Sequence, residues 1–287
     1  MKRKAFLKTL PVMMLGTQTL LNELAAMPNT ALTPAFFIGH GSPMNALADN
    51  AFTKDLIAAV KPLAKPQAIM VVSAHWLTVG THVSTNKYPK AIYDFGGFPE
   101  ELSKVTYAPN GSLEYALKTK ELITHATVHA DDTMGLDHGA WTILRHMFPQ
   151  ADVPVFQLSI DVNKHPAYHY ELIKSLASLR RKGLMIIGSG NVVHNLGRLN
   201  WRTPDAKPFD WTIEFDTYVK KHLDSRNHNA LVNYLNAGTA AQMAVPTNDH
   251  YLPLLYVLGI QEKNEEVKYI HHSFDMGSIS MRSFMLA

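Results

Sequence analysis

The sequence predicts an α/β sandwich: a single domain with a central sheet, mostly parallel or mixed, and helices on both of its faces. Three observations point there. Short apolar runs that stop at Gly or Ser recur along the chain, as buried strands do. Stretches of helical spacing separate them, and that alternation builds a sheet covered by helices. The last two strand-like stretches follow one another without a helix, so they pair antiparallel and make the sheet mixed.

Composition narrows the function classes. With 287 residues, 46% hydrophobic and 18% charged, the chain buries a sizeable core and shows no linker. Lys plus Arg number 27 against 24 acidic residues, too even a balance to argue for nucleic acid as a partner. The absence of cysteine excludes a disulfide framework and a thiolate metal site. Any transition metal is then held by nitrogen or oxygen, and the 15 histidines supply imidazole, which suits zinc, iron, copper and nickel.

Residues 1–30 stand apart from a domain spanning 31–287. The start, MKRKAFLKTLPVMMLG, has the basic-then-apolar outline of a secretory or twin-arginine-like signal. Lys8 and Pro11 interrupt it and Lys2-Arg3 replaces an Arg pair, so an amphipathic helix packed on the domain is the equal alternative. No segment offers the roughly 20 apolar residues that span a bilayer. The expected location is the cytoplasm, with export through the amino-terminal signal as the alternative.

Ala35 to Gly39 reads as a buried strand running into His40-Gly41-Ser42-Pro43, and Ala51 to Leu63 as a helix stopping near Pro66. Ala68 to Val72 repeats the strand pattern and runs into Ser73-Ala74-His75-Trp76. The loop from Tyr93 to Pro99 carries Tyr93, Phe95 and Phe98, enough aromatic surface to line a ligand pocket or plug a core. Leu113 to Ile123 is helical. His125 and His129 beyond it lack the glutamate of a zinc-protease helix and read as structural. Gly135 to Trp141 places His138 before a helix from Trp141 to Met147, where capping by Asp137 or His138 competes with a role in chemistry.

Val153 to Ile160 is a further strand and Tyr168 to Arg181 a further helix. Leu184 to Gly190 then gives another buried strand, whose glycines read as a sharp turn at its carboxyl end. Ligands of open α/β sheets sit beyond that end, so His194 is expected to face a site. Asp210 to Leu223 and Ala230 to Leu235 are helical. His250 precedes an apolar helix running to about Leu258. Val267 to Phe274 and Ser278 to Leu286 are strands, with His271 and His272 as ordinary sheet residues.

His40, His75, His194 and His250 thus share one context, each at a strand end or a loop-to-helix junction. A mononuclear site needs three or four ligands at about 2.0 to 2.1 Å, and these are the candidates. Gly188-Ser189-Gly190 is not a dinucleotide loop, because the third glycine is missing. Ser42 lacks the G-x-S-x-G elbow of a nucleophile.

The motifs HGSP at His40, SAHW at Ser73, YDFGGFP at Tyr93, GLDHGAW at Gly135, GSGNVVHNL at Gly188, HYLPL at His250 and GSISMRSF at Gly277 resemble, in order, the bacterial and plant DOPA extradiol dioxygenases. These belong to the class III extradiol ring-cleaving superfamily, and the resemblance runs from about Pro34 to the end of the chain. It implies a non-haem enzyme that opens DOPA-like catechols with O₂ to a hydroxymuconic semialdehyde, with 31–287 as the catalytic domain. The implied cofactor is Fe(II), with Zn(II) as a second possible occupant. By the same resemblance His40, His75, His194 and His250 bind the metal, and His138 and His194 are catalytic. The aromatic loop adds Tyr93, Phe95 and Phe98 as the expected substrate contacts.

The wider superfamily completes its iron site with a glutamate, whereas these motifs offer only histidines. The role of His194 is therefore left open between ligand at rest and base when substrate arrives, ligand only, and base only. Two other function classes fit the same residues: a zinc hydrolase, and a Memo-like protein that keeps a metal pocket without catalysis. Ferrous dependence and O₂ consumption separate them from the dioxygenase.

Overall fold

The computed structural model describes residues 25–27, 29–200, 203 and 206–287. The stretch read as a signal or packed helix lies almost wholly outside these. Of residues 1–30, the described end joins the domain: Met27 is buried, and the Thr30 amide donates to Arg181 O at 2.9 Å.

Among the described residues twelve strands follow in chain order: β1 Ala35–Gly39, β2 Ala68–Ser73, β3 Leu77–Thr78, β4 Thr81–Ser84, β5 Val128–Asp131, β6 Val155–Gln157, β7 Ile160–Asp161, β8 Leu184–Gly190, β9 Val267–His271, β10 Phe274–Asp275, β11 Ile279–Ser280 and β12 Ser283–Leu286. The main sheet has the order β6-β2-β8-β1-β12-β9. Its first four strands are parallel, and β12 and β9 add antiparallel at one edge. The sheet is mixed, as expected.

Strands β1, β2 and β8 are buried along their whole length, which is why they read as unbroken apolar runs rather than alternating ones. Alternate side chains enter two separate cores. Phe36, Ile38, Ile69, Val71, Met185 and Ile187 face one; Phe37, Met70, Val72, Leu184 and Ile186 face the other. Helices α1 (Ala51–Val60) and α2 (His138–Met147) cover the first face through Phe52, Leu56, Trp141 and Leu144. Helices α3 (Pro166–Lys174) and α4 (Leu252–Gly259) cover the second through Leu172, Leu254 and Tyr256. Helices therefore lie on both faces.

Local chemistry sets the helix starts. Asn50 caps α1 in a capping box with Thr53, satisfying two amides that the helix leaves unpaired. Asp137 caps α2, its Oδ1 accepting from Ala140 N at 3.2 Å, so this helix begins at His138 and not at Trp141. The helix expected over Tyr168 to Arg181 divides into α3 and a 3-10 turn, Ala177–Lys182. Left-handed Gly183, at φ 86°, ends that turn, and only glycine takes such a φ without strain.

Val153 to Ile160 also divides. β6 joins the main sheet, while β7 pairs with β3. The last two expected strands each break, and their inner ends form the small β10–β11 hairpin. The β4–β5 pair and the helix Thr239–Ala244 had no clear signature, because each element is only four to six residues long.

Candidate metal centre and active site

The parallel register brings the carboxyl ends of β1, β2 and β8 level: Gly39 pairs with Gly190, and Ser73 with Ser189. His40 follows β1 directly, its amide donating to Gly190 O at 3.1 Å. His75 lies two residues past β2, its amide donating to Ser73 Oγ at 3.2 Å. His194 lies four past β8, tied by its amide to Ala244 O at 2.9 Å.

His250 arrives from the other side, just before α4. It can approach because β8 carries glycine where the two backbones meet. A Cβ on Gly190 would lie 2.1 Å from His250 O, and one on Gly188 2.4 Å from Pro253 O. Neither residue is among the glycines of positive φ. The expected sharp turn is therefore absent: these glycines stay in the strand and admit a neighbouring backbone. Gly139 serves His138 likewise, since a Cβ there would sit 2.6 Å from Ser73 Oγ and 2.9 Å from His75 Cδ2.

Five imidazoles consequently share one space. One ring nitrogen from each of His40, His75 and His250 lies within 4.8 Å of the others, with His40 Nε2 and His75 Nε2 3.1 Å apart. His138 packs on His75 at 3.9 Å between centroids. His194 is stacked flat on His250, at 3.5 Å and 7°. A ring nitrogen binds a metal in its own ring plane, and two parallel planes this far apart do not meet at one ion. The structure thus groups His40, His75 and His250 as candidate ligands and leaves the fourth expected ligand, His194, beside them.

Second partners set which nitrogen of each ring is free. Ser189 Oγ donates to Gly139 O at 2.5 Å, so toward His40 Nδ1, 3.0 Å away, it acts as acceptor. His40 then carries its proton on Nδ1 and turns the Nε2 lone pair inward. His250 Nδ1 donates to the carboxylate of Asp249, and its Nε2 is buried with no partner. His75 Nδ1 faces Asp94 Oδ2 at 3.7 Å.

Electrostatics keep His40, His75 and His194 neutral. Burial, then the neighbouring histidines, pushes the pKa of His40 and of His75 well below the ordinary value, and burial with His250 lowers His194 to about 3. Asp249 stays ionised: burial opposes it, but the hydrogen bonds from His250, Thr247 and its own backbone N–H, together with the attraction of His250, outweigh that burial. Ring nitrogens of His40, His75 and His250 brought this close repel unless a proton or a cation lies among them. Two donors each about 2.1 Å from one ion lie roughly 3.0 to 3.4 Å apart, which the 3.1 Å separation of His40 and His75 matches. Carboxylate and hydroxyl groups behind the rings are what metal-binding histidines need to fix their tautomers. The residues present fit a metal ion.

The cluster floors a cavity of about 520 Å³, within the range for a small-molecule site. Phe95 and Phe98 wall one side, and Leu196, Leu199, Met276 and Ile279 the other. Tyr93 is a correction: it does not line the cavity, because its hydroxyl donates to Val105 O at 2.7 Å and its ring packs behind Phe95, against Trp141.

Both readings of the Gly135 motif hold, for different residues. Asp137 caps α2, with burial raising its pKa to about 6, while the His138 ring lines the cavity. His125 and His129 lie elsewhere; the His129 ring faces His82 at 5.0 Å. His271 ends β9 and contacts Asp55 and Ser273, as a structural histidine does.

Sequence reasoning missed Ser189, Asp249 and Asp94. Asp249 could have been found, since an acid next to a candidate ligand histidine is a cue for its orientation. Nothing local marks Ser189, whose partners are 149 and 50 residues away.

A family described as the catalytic LigB subunit of aromatic ring-opening dioxygenase matches residues 34–285. The chain is 44% identical to the 4,5-DOPA dioxygenase extradiol of Escherichia coli (strain K12), over 88% of this chain and 94% of that one. It is 34% identical to the protein of the same name from Beta vulgaris, over 87% and 94%. A crystal structure of an uncharacterized protein from Escherichia coli K12 superposes with a TM-score of 0.78 at 40% identity, covering 89% of this chain and 100% of the other.

Proposed function

Given that the chain belongs to the LigB family of aromatic ring-opening dioxygenases, and is an extradiol dioxygenase, we propose that its substrate is a DOPA-like catechol and its working metal Fe(II). In this reading His40, His75 and His250 hold the ion, His138 and His194 move protons, and Phe95 and Phe98 grip the ring. The observation that carries it is the convergence of one ring nitrogen from each of His40, His75 and His250 at the floor of a cavity lined by Phe95 and Phe98. The names of the relatives supply the substrate class.

A ferrous ion bound there supplies the positive charge that acidifies both catechol hydroxyls and the redox chemistry that O₂ requires. Zinc suits the same donors but has no redox chemistry, so it competes for the site without turnover. Everything else is done by the protein. Burial holds His194 neutral at pH 7; the same burial makes it a weak base, so it accepts the diol's proton only as the negative charge left on the bound diol raises its basicity.

His138 turns Nδ1 toward Asp94, 3.1 Å away, which leaves Nε2 as its working atom at the cavity. Nε2, unprotonated at rest, takes up a proton released by the bound diol and returns it to oxygen as the ring opens, which keeps the proton balance. Both oxygen atoms end in the product, a hydroxymuconic semialdehyde. Phe95 meets His138 edge-on at 5.7 Å, so an aromatic substrate gripped by Phe95 would lie near the proton-handling histidine. These apolar walls also exclude water, which strengthens every charge interaction inside.

The test is an oxygen-electrode assay of ferrous-reconstituted protein with DOPA, caffeate and protocatechuate. We expect O₂ uptake equal to catechol consumed, a yellow product, and DOPA as the best of the three. Preference for protocatechuate would overturn the substrate class. Equal activity with zinc as the only metal would overturn the choice of iron.

A further inference from the structure

We propose that Asp94 is a positioning residue that sets the tautomers of His75 and His138 together, so that one carboxylate prepares both an ion-facing ligand and the proton-handling histidine. This rests on the roles given to those two histidines above. Asp94 Oδ1 accepts the backbone N–H of His138 at 2.9 Å, at the start of α2, where the helix dipole favours a negative charge. That bond fixes the carboxylate relative to the helix, and Oδ2 is left to face two rings. It lies 3.1 Å from His138 Nδ1 and 3.7 Å from His75 Nδ1.

An ionised carboxylate only accepts. Each ring is therefore favoured with its proton on Nδ1 and its lone pair on Nε2, directed at the cavity. Neither contact is an aligned short hydrogen bond: the approach to His138 Nδ1 is oblique, and 3.7 Å to His75 is an electrostatic distance. The control is over orientation and tautomer, shared between rings that already touch at 3.9 Å.

The loop that carries Asp94 is fastened to the same helix start. Trp141 Nε1 donates to Ile92 O at 2.9 Å, and Ile92 and Leu136 exchange backbone bonds with their neighbours across the loop, at 2.7 and 2.8 Å. Asp94 thus moves with His138 as a unit. His40 and His250 have their own partners in Ser189 and Asp249. Asp94 fills the corresponding place for His75 and extends it to a residue outside the ligand group.

The substitution that reads this out is Asp94→Asn. Its shape is nearly the same and its carbonyl still accepts from His138 N, but the other terminus becomes an NH₂ facing both Nδ1 atoms. A donor there drives the proton to Nε2. In metal-free, ¹⁵N-histidine-labelled protein, we expect the wild-type His138 ring in the Nδ1–H form and the D94N ring in the Nε2–H form, with the signal assigned by its loss in His138→Gln.

In loaded enzyme D94N should lower kcat by about 10²- to 10⁴-fold, as loss of an orienting carboxylate does elsewhere, with the KM for catechol changed less than threefold. Metal affinity should fall about tenfold or more. Asp94→Glu keeps the acceptor and should recover the wild-type tautomer and part of kcat, which guards against a misfolded Asn variant.

An unchanged His138 tautomer in D94N would overturn the proposal. So would complete loss of metal, which would make Asp94 a ligand. The tautomer measurement needs neither metal nor substrate, so its failure leaves the ring-cleavage reading standing. Conversely, absent turnover in a wild type with the expected tautomers would count against that reading alone.

Discussion

Gly190→Ala is the substitution by which the site is most directly tested through the fold. The added Cβ would lie 2.1 Å from His250 O, where ordinary contact begins at 3.4 Å, so about 1.3 Å of separation must be found. The obstructing atom is backbone, and His250 O also accepts from Asn191 N at 2.8 Å. The strand is buried in the middle of the sheet, so the start of α4 is what gives way, and it carries His250 off the floor of the cavity. Metal-ligand distances tolerate about ±0.2 Å, far less than the displacement required. We expect metal affinity to drop by at least 10²-fold. Overpacking of this kind costs about 1 to 3 kcal/mol, which lowers Tm by roughly 3 to 10 °C in a domain of this size. Gly197→Ala is the control, because its Cβ meets only Asn195 Oδ1 at 3.4 Å. Chelator competition measures the affinity and a thermal scan the stability. A Gly190→Ala protein that binds metal as tightly as the control would refute both the close approach and the place of His250 among the ligands.

Three further outcomes follow from the same geometry. His40→Ala and His75→Ala should each abolish metal loading while the far-UV circular dichroism stays native; full occupancy in either removes that residue from the ligand group. His138→Ala should keep its metal and lose about 10²- to 10⁴-fold in turnover, the usual scale for a positioned acid or base, and undiminished turnover would take it off the catalytic list. His169 gives a pH test away from the cavity: burial lowers its pKa to about 4, against about 6.5 unfolded. With the folded value depressed, its contribution to stability is fully present above pH 6.5 and is lost as pH falls toward 4. That amounts to about 3 kcal/mol at most. Urea midpoints at pH 7.5 and 4.5 should therefore diverge less in His169→Asn than in the wild type, and an identical divergence would sink the assignment.

How much of this was legible in the sequence depends on whether the determining contact was local. The strand order could not be read, but the strands that carry His40 and His75 could, because burial on both faces leaves an unbroken apolar run that ends where the histidine begins. His250 was legible as a loop-to-helix junction. Its reach into the site was not, since that depends on glycines in β8 sixty residues earlier, and a glycine that admits a backbone looks in sequence like one that turns. The flat stack of His194 on His250 is equally invisible to spacing, which treats all four histidines alike and does not show that one ring lies beside the three whose nitrogens come together. Tyr93 failed for a related reason: an aromatic loop announces that rings will be buried, not which one faces the cavity, and a Val105 carbonyl decided it. The carboxylates follow the same rule. Asp249 sits beside the ring it orients and could have been read, whereas Asp94 acts on His138 across 44 residues and acquires meaning only when α2 docks against its loop. What a single sequence conveys about such a site is therefore the donors that local strand ends present. The groups that choose tautomer and orientation are written in the packing of segments far apart in the chain.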